Sequence, residues 1–147
     1  MKTLPEPNFN VQEVLESCAA GIRDKDLARR LVGALPALEA AEQDYEARGA
    51  RARLFETLPS NDVDAAVSSA EMSMLYKGTL SRQGSRARRF YDRLKTAAPN
   101  DICPLCGQRV VKTLDHYLPK ATYPAYALTP LNLVPACSDC KIGRAHV

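Results

Sequence analysis

Two Cys-x-x-Cys pairs, Cys103/Cys106 and Cys137/Cys140, separated by thirty residues, constrain this chain more than any other feature. Two thiolates at that spacing on a tight turn can reach one tetrahedral Zn²⁺ at about 2.3 Å each, and two such turns complete a closed site. Pro104, Gly107 and Pro135 supply turn-forming residues around both pairs. A redox motif needs a single pair, and five cysteines in a chain expected in the cytoplasm argue against disulfides. The expectation is a structural Zn²⁺ held by Cys103, Cys106, Cys137 and Cys140. Such a closed site leaves no position for catalysis and serves to hold together a module too small to fold unaided. Cys18, on the apolar side of a predicted helix, is expected to be an inert core thiol.

No apolar run approaches the roughly 18 residues of a membrane span, and "MKTLPEPNFN" lacks the apolar stretch of a secretory signal. A cytoplasmic protein without membrane association is therefore expected. The net charge of +3 is distributed unevenly. Residues 1–76 carry 8 Lys/Arg against 13 Asp/Glu, whereas residues 77–147 carry 12 against 4. The first part suits a solvated scaffold, and the second could approach a polyanion.

The first ninety-eight residues read as helices. Asn10 with Glu13 forms a capping-box pattern ahead of Val11, Val14, Leu15 and Cys18 at helical spacing. Asp24 or Asp26 can cap a second helix through Leu27 and Leu31, and Pro36 marks a boundary or the first turn of a third, running to about Arg48. A fourth is expected from Ser60 or Asn61, with Val63, Val67, Ala70 and Met74 on a core-facing side. After a break at "KGTLSRQGS", "RARRFYDRLKTAAP" predicts a last helix whose Phe90 and Leu94 turn inward. Lys77, Arg82, Arg86, Arg88, Arg89, Arg93 and Lys95 face only Asp92 in this segment. They either track backbone phosphates or form a solvated face paired with the acidic first half. From Ile102 onward "RVVKTLDHYL" has strand propensity after a Cys-x-x-Cys-Gly turn. The fold class expected is α+β, with a helical region over 1–98 and a small zinc module over 99–141.

One of only two histidines, His116, follows Asp115 in "TLDHYLPK", between the two cysteine pairs. A capped turn with an exposed histidine would account for it. The ordered set "CPLC", "TLDHYLPK", "NLVPAC" and "CSDC", however, resembles the zinc-stapled branch of the HNH endonucleases, a ββα-metal module with the pattern C-x-x-C, D-H-x-x-P, N-L-x-x-x-C-x-x-C-N. The resemblance spans about residues 100–141. It implies that Asp115 ligates a catalytic divalent cation, Mg²⁺ or Mn²⁺, and that His116 is the general base for a water attacking phosphorus. It also implies that Asn132 fixes the loop carrying the histidine. Neighbouring strand residues point to opposite sides, so a backbone bend between Asp115 and His116 is expected, in a loop ended by Pro119. Lys120, with Arg82, Arg86, Arg89 and Arg93, would contact nucleic acid. Tyr117, Tyr123 and Tyr126 are expected to pack the loop or to stack on a base.

The chain departs from the pattern at Lys141, where the family has the second ligand of the catalytic metal; an ammonium cannot ligate Mg²⁺. Residues 142–147, "IGRAHV", are also the translation of a common sequencing-adapter read-through. In that frame the adapter supplies the last two bases of codon 141, and the remaining A also begins an asparagine codon. The expectation is an artefactual tail over 142–147, carrying His146 without a role, a native Asn at 141, a longer natural protein and a nearly absent closing helix. The function expected is metal-dependent hydrolysis of DNA, with RNA as a further possible substrate and the N-terminal helices as a docking unit for a protein partner. The competing class is a zinc-stabilised module that binds nucleic acid without cutting it, and a third is an adaptor that touches only protein.

Overall fold

The computed structural model describes residues 4–145, with side chains to Lys141; His146 and the side chains of the 142–147 tail lie outside the described residues. Three helices open the chain: α1 (Val11–Ala20), α2 (Lys25–Gly33) and α3 (Leu35–Ala50). Asn10 and Glu13 form the reciprocal capping box of α1, Asp24 caps α2 through the Leu27 amide, and Pro36 occupies the first turn of α3. The first two caps use amides that a helix start leaves without internal partners, and Pro36 has no N–H to leave unpaired.

The helix expected over residues 61–76 forms only in its second half. A short hairpin, β1 (Asp62–Val63) with β2 (Val67–Ser68), precedes α4 (Ser69–Leu75). Its turn places Asp64 and Ala65 in the left-handed region, where the Asp62 carboxylate accepts from the Ala65 amide. Val63 and Val67 are both buried; a four-residue spacing suits one helix face and equally two facing strands. Ser68 and Glu71 form the capping box of α4, and Met74, expected inside, is 72% exposed. The expected break at Lys77 is a π-turn, Tyr76–Leu80, which prolongs α4; after it comes α5 (Arg88–Lys95).

The C-terminal part is a ββα arrangement: β3 (Thr113–His116) pairs antiparallel with β4 (Leu133–Ala136), and α6 (Ser138–Ala145) follows. The closing helix thus has eight residues instead of being nearly absent. Ahead of β3, the Cys103 amide donates to the Arg109 carbonyl and Ile102 bridges Val110, forming the knuckle hairpin; Gly107 has φ +70° at its turn. The arc from Tyr117 to Leu131 does not end at Pro119, whose carbonyl accepts from Thr122 and Tyr123 as the chain turns onward.

One apolar core runs across position 98. Val14, Leu15, Leu38, Met72, Phe90 and Leu94 from the helices pack in the same cluster as Leu114, Ala127, Leu128 and Leu133 from the ββα part. A smaller cluster joins Tyr45 of α3 to Leu118 and Tyr126 of the arc. Leu114, fully buried at the centre of β3, reports on this continuity. Leu114→Ala is expected to cost about 2–5 kcal/mol and to leave a single unfolding transition in urea, followed by tryptophan-free far-UV dichroism. Two separate transitions, one unaffected by the substitution, would show that the halves fold apart.

Candidate metal centre and Asp-His site

The four sulfurs of Cys103, Cys106, Cys137 and Cys140 lie within 4.8 Å of one another. The knuckle turn brings the first two, and the end of β4 with the first turn of α6 brings the others. Four sulfurs about 2.3 Å from a tetrahedral Zn²⁺ stand roughly 3.8 Å apart, close to the 4.0 Å between Cys106 Sγ and Cys137 Sγ. The amides of Arg109 and Gln108 draw the Cys106 thiol down to about 6. Burial works against a Cys103 thiolate, but amides of Cys137, Cys106 and Leu105 outweigh it and lower that thiol too. Hydrogen bonding to Cys137, with burial, pushes Cys140 up to about 12, since thiols this close share protons. Bound metal would take the place of those protons. Donor type, number and spacing all fit a structural zinc. Cys18 is buried in the core and pushed up to about 11, chiefly by desolvation, as befits an unreactive thiol.

Asp115 and His116 sit side by side in β3, paired with Val134 and Leu133. The strand stays regular through both, so the expected bend between them is absent and the chain turns only after His116. His116 faces inward with Leu114, while Asp115 shares the other face with Thr113. His116 is 8% exposed, and its Nε2 lies 2.9 Å from the Ala127 carbonyl. A carbonyl only accepts, so Nε2 carries the proton and the neutral ring keeps its lone pair on Nδ1. Burial first, then Lys120 and Lys141, lowers the imidazole from its ordinary 6.5 to about 4, against the opposing bond to Ala127. The ring is therefore neutral at pH 7.

Asn132 is fully buried and every polar atom of its side chain is used. Its Oδ1 accepts from the Leu118 amide at 2.8 Å, and its Nδ2 donates to the carbonyls of Leu118 and Tyr126, each at 3.0 Å. These bonds close the Tyr117–Leu131 arc and so set where the Ala127 carbonyl meets His116. Lys120, half-buried in that arc, lies 5.5 Å from the centre of the Tyr76 ring. Its ammonium is lowered by burial and by Lys77 and Lys141, and is supported by Asp115. Lys141 Nζ donates to the Leu114 carbonyl at 2.9 Å and to Thr113 Oγ1 at 3.2 Å. Residue 141 thus reaches the strand that carries Asp115, but with a cation. Asp115 is the one anionic oxygen donor that this set offers, so the residues present do not make up a divalent-cation site.

The other expected contacts are dispersed. Arg86 and Arg89 border a shallow cleft with Glu13 and Glu16 of α1, and Arg89 donates to Ser17 while its guanidinium packs on Phe90. Arg88 pairs with Asp92 and lies over Tyr91. Arg82 lines a second opening with Gly78, Gln83 and Ser85, and Arg93 is exposed. Tyr126 is buried against Tyr45, Tyr123 packs in the same small cluster, and Tyr117 is 43% exposed. Sequence reading missed Tyr76 and the Ala127 carbonyl as neighbours of the Asp-His pair. A backbone carbonyl has no side-chain signature, and Tyr76 lies forty residues upstream of His116.

No protein-family model and no solved structure matches the chain. It is 30% identical over 151 aligned residues to Protein ea31 of Escherichia phage lambda, an alignment covering 98% of this chain and 51% of that protein. The chain therefore spans about half the length of the curated relative it matches.

Two measurements follow from the site. Cys137→Ser is expected to lower bound zinc from one per chain, read by elemental analysis, and to lower the melting temperature; unchanged metal content would remove the four-thiolate assignment. His116 contributes an acid-sensitive part of stability. Its folded pKa lies below its unfolded one, so the contribution is complete above about 6.5, declines as pH falls, and reaches its minimum below about 4. Chemical unfolding of the parent and His116→Gln is expected to show a weaker pH slope for the variant between those limits. Parallel slopes would place His116 in water.

Proposed function

We propose that this chain is an HNH-type phosphodiester-hydrolysing module acting on DNA, with His116 as general base. The observation that carries the reading is the His116 ring, held neutral with Nε2–H on the Ala127 carbonyl. Its Nδ1 lone pair can take a proton from a water without first losing one of its own, and the negative charge of a bound phosphodiester would raise the ring from about 4 toward the range a general base needs. Lys120 and Lys141 set two ammonium groups near this imidazole, and Lys77 and the Asp115 carboxylate stand near Lys120. An approaching phosphodiester would relieve their mutual repulsion, which supports a polyanionic substrate. Asn132 acts through the arc, keeping Ala127 and Lys120 in place.

A catalytic Mg²⁺ or Mn²⁺ belongs to this reading with Asp115 as its carboxylate ligand, but Lys141 does not complete the ligand set. The proposal for the chain as written is accordingly a weak or silent nuclease that Lys141→Asn would activate. The second reading, a zinc-stabilised module that holds nucleic acid without cutting, is favoured by the Lys141 ammonium bonded to the Leu114 carbonyl. The helices α1 to α3 are proposed as a docking unit for a protein partner.

A plasmid-nicking assay with Mg²⁺ or Mn²⁺ separates these. Little cutting is expected for the parent and clear nicking for Lys141→Asn. Adding His116→Ala to that background is expected to lower the rate about 10²–10⁴-fold, the range of a lost general base. Equal cutting with and without His116 would sink the base assignment. Tight, salt-sensitive DNA binding without cutting in any variant would leave the binding module, and cutting confined to RNA would reassign the substrate.

A further inference from the structure

We propose that Tyr76, contributed by the helical part of the chain, is a positioning residue of the Asp-His site: its ring touches both the His116 imidazole and the Lys120 ammonium and fixes where each stands. The inference rests on the reading of His116 as a base. The two rings meet edge to face, with centroids 4.5 Å apart and planes inclined at 70°. Lys120 Nζ is 5.5 Å from the centre of the same tyrosine ring, within reach of a cation–π attraction.

The ring itself has little freedom. Tyr76 is 5% exposed and belongs to the main core. It opens the π-turn, where the Ser81 amide donates to the Tyr76 carbonyl at 2.9 Å and Thr79 Oγ1 donates to the Leu75 carbonyl at 2.6 Å. Such turns inside helices often mark functional positions. Upstream, α4 is anchored by its Ser68–Glu71 capping box and by Glu71 paired with Arg30 of α2 at 2.7 Å. At the head of α4 Ser69 Oγ also donates to the Ala121 carbonyl of the arc, so Tyr76 is held at both ends of its helix.

His116 needs this support. One hydrogen bond to Ala127 fixes a point on the imidazole, but a turn about the Cβ–Cγ bond would break that bond and redirect the lone pair. The T-shaped contact with Tyr76 closes off that motion. Lys120 has four rotatable bonds in a mobile class of side chain, and the ring face gives its ammonium a defined seat beside the imidazole. The aromatic ring carries the role, and the phenol oxygen is not needed for either contact.

Nitrogen-15 spectra of the His116 side chain, assigned against His116→Ala, test this without reference to cutting. The parent is expected to show one Nε2–H tautomer at pH 7, with proton cross-relaxation from the Tyr76 ring to the His116 ring and to the Lys120 ε-methylene. Tyr76→Leu is expected to average the two nitrogens between tautomers while bound zinc stays unchanged, and Tyr76→Phe to restore the single tautomer. In the Lys141→Asn background, Tyr76→Leu is expected to lower the nicking rate about 10- to 100-fold, as slight misplacement of a reacting group does, with rescue by Tyr76→Phe. A single tautomer surviving in Tyr76→Leu would overturn the proposal. Absent cross-relaxation in the parent would do so as well, and that measurement decides the matter if Tyr76→Leu fails to fold. Should Lys141→Asn not cut, the nuclease reading falls, while the tautomer and cross-relaxation results still decide the role of Tyr76.

Discussion

The buried carboxamide of Asn132 is the contact on which the site's geometry depends. An amide removed from water costs free energy unless its donors and acceptor are met, and here Leu118 and Tyr126 meet them all from the backbone of the arc. Loss of the side chain would take a partner from the Leu118 amide, the Leu118 carbonyl and the Tyr126 carbonyl, of which the last keeps the Thr129 amide, so the side chain ties the two ends of the arc together. In the arc so tied, the Ala127 carbonyl lies at His116 Nε2, and Lys120 lies at Tyr76. Asn132 thus supports, through the arc, both the carbonyl that meets the histidine and the segment that carries the lysine, although it touches neither side chain.

The cysteine cluster and the core constrain different edges of the same unit. The sulfurs tie the knuckle to the start of α6, where few apolar groups are available: Ala136 with Cys103 and Cys137, flanked by Leu105. At the other edge Leu114, Leu128 and Leu133 enter the core shared with α1, α3, α4 and α5. Stapling is needed where burial is scarce and absent where burial is ample. The helical part is thereby a wall of the Asp-His site as well as a scaffold.

Much of this was legible from residue patterns whose physics is local. Capping boxes at Asn10, the cap at Asp24 and the proline at the head of α3 predict helix starts because their partners lie within one turn. The cysteine cluster was legible because ligand spacing and turn residues fix a tetrahedral site. The β1–β2 hairpin was not, since buried Val63 and Val67 satisfy two periodicities, and only the left-handed Asp64–Ala65 turn decides between them. The regular pairing of Asp115 and His116 depends on β4, seventeen residues downstream of the pair's end. The partners of His116 come from a main-chain carbonyl and a distant tyrosine, neither of which spacing can reveal.

Position 141 shows how scaffold and chemistry can diverge. Cys137 and Cys140 fix the first turn of α6, and the next residue then crosses to β3, as the Lys141 bonds to Leu114 and Thr113 demonstrate. Thr113 and Asp115 lie on one face of that strand, so the cysteine frame brings residue 141 toward the face that carries the carboxylate. An oxygen donor placed there could share a cation with Asp115. An ammonium instead satisfies the Leu114 carbonyl and adds positive charge beside Lys120 and His116, deepening the depression of both. Residue 141 thus reaches β3 beside Asp115, and its side chain makes that edge cationic.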